Sequence, residues 1–177
     1  MPPRSRRLLQ TVAEIGTVAA ASTLLTLLVP MVLGKTEDPQ RIQARLECER
    51  IGAAFRQYVS DAGSVPAERD VNDPKPLHWL RGAGRLSPVN PFDDGPNGEL
   101  STYLASAPAA DDVAWKGPYL LSVDADPWGN AYVVNAHALA EIGHEIAWVV
   151  SPGPNGVLET AAASDTTSGD DVGIAIE

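Results

Sequence analysis

Residues Leu8 to Leu33 read LLQTVAEIGTVAAASTLLTLLVPMVL, a run in which Glu14 is the one ionisable side chain. A helix of about 20 predominantly apolar residues crosses the hydrocarbon of a bilayer, so this run is expected to span a membrane with some tilt. Arg4, Arg6 and Arg7 stand immediately before it. Positive residues are retained on the cytoplasmic side, which places the N-terminus in the cytoplasm and the rest of the chain outside. The run is also longer than the apolar region of about 7–15 residues found in cleaved secretory signals, so a retained anchor is expected. Pro30 inside it should kink the helix, while Ala19, Ala20, Ala21, Ser22 and Thr23 offer a small-residue surface to another helix.

Charge separates the anchor from what it carries. Residues 1–34 hold three arginines and one glutamate, whereas residues 35–177 hold ten basic and twenty-two acidic side chains. An acidic head without a basic stripe argues against nucleic-acid binding, which needs clustered Lys and Arg to displace counterions. The single cysteine, Cys48, cannot close an internal disulfide and reads as a small packing residue on a helix.

Beyond Gly34-Lys35 the chain restarts as a helix. Asp38 is the expected N-cap and Pro39 the first helical position. Ile42, Leu46, Ile51, Ala54, Phe55 and Tyr58 recur at three- to five-residue steps and predict an amphipathic helix from Gln40 to Ala62. Gly63 should end it and Pro66 prevent its continuation. Anchor and stalk as one rod of about 55 residues would be roughly 80 Å long. Residues 64–117 are rich in Pro, Gly, Asp and Asn. They read as an irregular excursion with a short helical turn at Leu77–Gly82 and a weak helix near Gly98–Ser106, packed by Trp79, Phe92, Tyr103 and Trp115. Asn130–Asn135, Glu145–Ser151 and Val172–Ile176 have strand character. The expected fold class is α+β, with a long N-terminal helix, an irregular αβ loop and a small C-terminal antiparallel sheet. The segments are a basic leader 1–7, a membrane helix 8–34, a stalk 35–63, the excursion 64–117 and a sheet-bearing head 118–177.

Several strings invite chemistry. Asp165, Asp170 and Asp171 lie in the turn-rich stretch ASDTTSGDDV. Hard oxygen ligands in such a loop suit Ca²⁺, which takes about 6–8 oxygens, although a solvated acidic loop has the same composition. Asp124-Ala-Asp126-Pro-Trp-Gly129 is an incomplete calcium loop and reads as a turn, with Gly129 at positive φ. Gly95-Pro96-Asn97-Gly98 and Gly153-Pro154-Asn155-Gly156 read as two like turns. His137, Glu141 and His144 lack a second ligand pair for zinc and read as surface loop residues. No nucleophile–base arrangement is recognisable, so an enzyme is not expected.

Three blocks carry a resemblance that covers nearly the whole chain. Tyr58-Val-Ser-Asp61-Ala-Gly63-Ser-Val-Pro66, then Trp115-Lys-Gly-Pro-Tyr119-Leu with Asp126-Pro-Trp-Gly-Asn130-Ala-Tyr132, then Ser151-Pro-Gly-Pro-Asn-Gly156 with Asp170-Asp171-Val172 occur in this order. In content and order they resemble the major pseudopilins of type II secretion systems, in the type IV pilin-like superfamily. The resemblance implies a pilin-like fold in the inner membrane with the head periplasmic. It implies a homopolymer formed with other pseudopilins on an inner-membrane secretion platform. It also implies a calcium ion held in the C-terminal loop, carried over to Asp170 and Asp171 with Asp165 as a further candidate. Glu14 and Pro30 would serve assembly, Glu14 by pairing with a neighbouring subunit's N-terminus. Two departures stand out: no glycine lies between Arg4 and Ile15 where a prepilin peptidase would cut, and the Glu14–Pro30 spacing is one residue short of the family's. A monomeric, membrane-tethered extracytoplasmic binding module is the alternative.

Overall fold

The helix expected to follow the anchor is present as α1, Pro39–Ala62. The computed structural model describes residues 38–68, 72–92, 95–106, 115–139 and 146–176. The leader 1–7, the run 8–34, Glu14 and Pro30 lie outside these residues. Among the described residues no helix is long and apolar enough to cross a membrane. The chain divides into a unit Met1–Asp38 and a unit Pro39–Glu177, and every element below belongs to the second.

Asp38 stands just outside α1 with Pro39 as its first residue. The Gly63 N–H donates to the Val59 carbonyl at 2.8 Å and closes the last turn. The apolar face differs from the expected stripe. Ala44, Cys48, Ile51, Ala54, Phe55 and Tyr58 are buried, whereas Ile42 is 43% and Leu46 60% exposed. At roughly 100° per residue, Ile42 and Leu46 each lie about 160° around the helix from Ala44, and the five-residue step from Leu46 to Ile51 leaves the line by about 140°. The first three turns instead meet the head through small side chains, Ala44 and Cys48, which let the backbone come close to the sheet. The Cys48 thiol donates to the Val172 carbonyl at 3.4 Å.

The sheet has five strands: β1 (Trp79–Arg81), β2 (Asn97–Glu99), β3 (Val133–Val134), β4 (Ala147–Ser151) and β5 (Val172–Ile176). Their spatial order is β2-β1-β3-β4-β5, with β1 and β2 parallel and every other pair antiparallel. The head is therefore α+β as expected, but its sheet is mixed. The expected helical turn at Leu77–Gly82 is strand β1, and Asn97-Gly98, expected as a turn, opens β2. The irregular excursion thus contributes two of the five strands. Strands of three residues are too short for period-two alternation to register in the sequence. They form because Leu77 and Leu80 are buried in one core with residues of α1 and of the short helix α2 (Leu100–Leu104), which occupies the expected weak helix.

Residues alternate across the sheet as the pleat requires. Leu80, Val134 and Val149 join Ile51, Phe55 and Tyr58 in the main core under α1. Val133, Trp148 and Val150 face the other way and form a second cluster with Phe92, Leu158 and Ala162. Where β3 ends, Asn135 extends the pairing with its side chain. Its Nδ2 donates to the Ile146 carbonyl at 2.8 Å and its Oδ1 accepts from the Trp148 N–H.

Candidate functional site

The Asp-Pro-Trp-Gly-Asn block folds around one carboxylate. Asp126, 4% exposed, accepts from the N–H groups of Trp128 (2.9 Å) and Asn130 (2.7 Å) on Oδ1. This is the side-chain-to-backbone bonding that makes aspartate a turn former, and Gly129 completes the turn at φ 85° as expected. The other oxygen, Oδ2, accepts from the Ser151 hydroxyl at 2.6 Å, inside the core. Ser151 opens the Ser-Pro-Gly-Pro-Asn-Gly block, and its Oγ in turn accepts from the Gly153 N–H at 3.1 Å. Asn130 Nδ2 donates to the Gly153 carbonyl at 2.7 Å. The two blocks, about 25 residues apart in the chain, are therefore one buried polar unit whose members satisfy each other, as buried polar groups must.

The third block joins through Gly153. It sits at φ 66°, and a Cβ there would stand 2.3 Å from the Asp170 carbonyl oxygen. Only glycine lets the two backbones pass this closely. The same Asp170 carbonyl accepts from Arg41 Nη2 at 3.1 Å, fastening the loop to the first turn of α1.

Around this junction Glu159, Asp170 and Asp171 each offer a carboxylate oxygen, all within 4.8 Å of one another. Asp171 is buried. Its Oδ2 accepts from the Glu159 N–H (2.9 Å), the Thr160 N–H (2.7 Å) and the Thr160 hydroxyl (2.7 Å). Burial pushes the Asp171 carboxyl above its ordinary range, against the opposing pull of those donors. Asp170 Oδ2 accepts from the Asn155 N–H at 3.1 Å, and Glu159 Oε2 from the Asp170 N–H at 3.3 Å. Asp170 Oδ1 and Asp171 Oδ1 are both buried with no donor. Two orphaned carboxylate oxygens beside a third carboxylate repel one another unless a cation compensates, and hard oxygen donors of this kind fit Ca²⁺. The donor set therefore fits a divalent cation.

Of the three expected ligands, Asp170 and Asp171 are brought together, while Asp165 is exposed and is not one of the cluster. Glu159 takes its place. The sequence carries no signal for it, because Glu159 joins the group only when the 153–171 loop folds back on itself. Thr160 was hidden for the same reason, whereas Ser151 stood in a motif block and only its bond to Asp126 required the two blocks to come together. The Asp124–Gly129 string is a turn, as expected. His137 lies in the 3-10 turn Ala136–Leu139 with its ring stacked on His78, centroids 4.2 Å apart. Glu141 and His144 fall outside the described residues.

Comparison with known proteins gives one family. Residues 97–168, from β2 to the loop just ahead of Asp170, match the family described as type II secretion system (T2SS), protein G. No curated protein and no solved structure matches the chain. The matched segment includes the Asp126, Ser151 and Glu159 positions, and it supports the resemblance carried by the motif blocks: the chain is similar to type II secretion system protein G, the major pseudopilin.

Proposed function

We propose that the chain is a structural, pseudopilin-like subunit of a secretion filament, held in the inner membrane by residues 8–34 with its head on the periplasmic side. The observation that supports this best is the protein G match over 97–168, in a segment whose two motif blocks close on each other through Asp126 and Ser151. Copies pack side by side along their apolar helices, with Glu14 and Pro30 serving that packing. Head-to-tail addition of this kind does not close on itself and runs on as a filament. The partners are further copies, other pseudopilins and the inner-membrane platform of the secretion system, and the role involves no catalytic step. Glu159, Asp170 and Asp171 hold a calcium ion that secures the 153–171 loop to β5 and α1.

Cross-linking of the full chain in native membranes tests the filament. An oligomer ladder is expected, and Ala20→Leu and Glu14→Ala should each shorten it without changing the melting of the head. A ladder unchanged in both variants favours the monomeric tether. Because no glycine lies between Arg4 and Ile15, processing at a consensus prepilin site is not expected; intact mass of the extracted protein decides this, and a methylated N-terminus within residues 8–12 refutes it.

A further inference from the structure

The start of α1 is held to the head by little apolar surface. Of residues 39–46 only Ala44 is buried, and it belongs to neither core cluster, while Ile42 and Leu46 are exposed. From Cys48 onward the helix is different, since Cys48, Ile51, Phe55 and Tyr58 all join the main core. A stretch with few buried apolar contacts opens at lower free energy than the core it leads into. Side-chain bonds to backbone carbonyls fasten residues 39–46 instead. Gln40 Nε2 donates to the Pro127 carbonyl at 3.3 Å on the surface, and Arg41 Nη2 donates to the Asp170 carbonyl at 3.1 Å in a partly buried position. The Arg41 bond is the stronger of these, because its donor is charged.

Asp170 therefore serves two structures at once. Its carbonyl holds Arg41, while its side chain is one of the three carboxylates of the acidic cluster. Its backbone is tied into the same loop. The Asp170 N–H donates to Glu159 Oε2 at 3.3 Å, and the next N–H, that of Asp171, donates to the Ser168 carbonyl at 3.2 Å. Repulsion among the donor-less Oδ1 atoms of Asp170 and Asp171 and the Glu159 carboxylate acts on this short piece of chain. Any relaxation of it moves the carbonyl on which Arg41 depends.

We propose that cation occupancy of the Glu159–Asp170–Asp171 cluster sets whether residues 39–46 stay docked on the head, with Arg41 as the link. With the cation bound, the Asp170 backbone is fixed and its carbonyl holds Arg41. Without it, the carboxylates spread, the carbonyl turns from Arg41, and the helix ahead of Cys48 comes free while the rest of α1 stays in the core. Docked and undocked forms make a two-state element biased from the cation site, so the coupling is reciprocal. Arg41 strengthens cation binding by the same factor by which the cation strengthens docking. In the sequence these residues join the apolar run to the head, so the device regulates that connection. The proposal rests on the cation reading above and gives that site a regulatory output.

Amide hydrogen exchange of the full chain in uncharged detergent, in saturating calcium and in chelator, tests it. Exchange in residues 39–46 is expected to be about fivefold faster or more in chelator, with residues 51–58 unchanged. Arg41→Ala keeps a strong helix former at the position. It should exchange fast in residues 39–46 under both conditions and need about fivefold more calcium for half of its melting shift. Arg41→Lys, which keeps a charged donor, should recover part of both effects, and Gln40→Ala should leave the calcium dependence in place. Equal exchange of residues 39–46 in calcium and chelator, in a chain whose melting still rises with calcium, overturns the coupling and leaves the cation site standing. Equal acceleration of residues 51–58 means that the whole head is loosened, and it overturns the coupling too. An Arg41→Ala chain with unaltered calcium dependence overturns Arg41 as the link. If neither exchange nor melting responds to calcium, the cation reading fails and the proposal falls with it.

Discussion

Withdrawing divalent cation from the Glu159–Asp170–Asp171 cluster should lower the melting temperature of the head. Asp170 Oδ1 and Asp171 Oδ1 are buried without donors, and an unpaired buried acceptor costs about 1–3 kcal/mol, more when charged. A cation bound to both removes those penalties and the repulsion between the carboxylates, at the expense of its own dehydration. Extracellular calcium modules settle this balance at dissociation constants of about 10⁻⁴ to 10⁻³ M. At free calcium ten times such a constant, binding to the folded state alone adds about 1.4 kcal/mol. For a head spanning residues 39–177 this raises the melting temperature by about 4–7 °C. Scanning calorimetry of that unit, which carries its own core, in chelator and in rising calcium measures the shift. Glu159→Gln is the cleanest perturbation, because Glu159 is exposed and its loss leaves the three donors on Asp171 in place. It should remove most of the shift, Asp170→Asn with Asp171→Asn should remove all of it, and Asp165→Asn and Asp124→Ala should leave it intact. Identical melting of the unmodified head in calcium and chelator refutes the cation site. A shift that survives Glu159→Gln but not Asp165→Asn refutes the ligand assignment.

Asp126→Ala leaves the Asn130 N–H and the Ser151 hydroxyl buried without their acceptor; it should cost at least about 3 kcal/mol in urea unfolding, with the midpoint reduced. An Asp126 variant as stable as the parent would show that the two blocks are not held by this carboxylate. Gly153→Ala puts a Cβ against the Asp170 carbonyl at a positive φ, so it should cost about 2 kcal/mol or more and weaken the calcium-dependent shift as well. An unaltered calcium shift in that variant would separate the close approach from the cluster. Burial pushes the Cys48 thiol far above its ordinary range, so thiolate is scarce and a maleimide should label the folded head only in denaturant. Fast labelling of the native protein would mean that α1 lifts from β5.

Local features were legible in the sequence because local physics decides them. Asp38, Pro39 and Gly63 marked the ends of α1, since capping and backbone preferences act within one turn. The strand Val172–Ile176 and the turn at Asp126–Gly129 could be read for the same reason, and the content and order of the motif blocks resemble those of protein G. Tertiary structure alone decided which way α1 faces. Ile42 and Leu46 are more hydrophobic than Ala44 and Cys48, yet the close approach of the helix to β5 selects the small side chains and turns the large ones outward. It also recruited Trp79–Arg81 and Asn97–Glu99 as strands, whose three residues pair because their neighbours are buried and not because of any alternation of their own. The acidic cluster divides along the same line. Asp170 and Asp171 are adjacent in sequence and stood out together, whereas Glu159 reaches them only after the chain has folded back past Gly153. Sequence separation hides such a partner: the loop folds back because Leu158 and Ala162 are buried in the second cluster and its start is bonded to Asp126, Asn130 and Ser151.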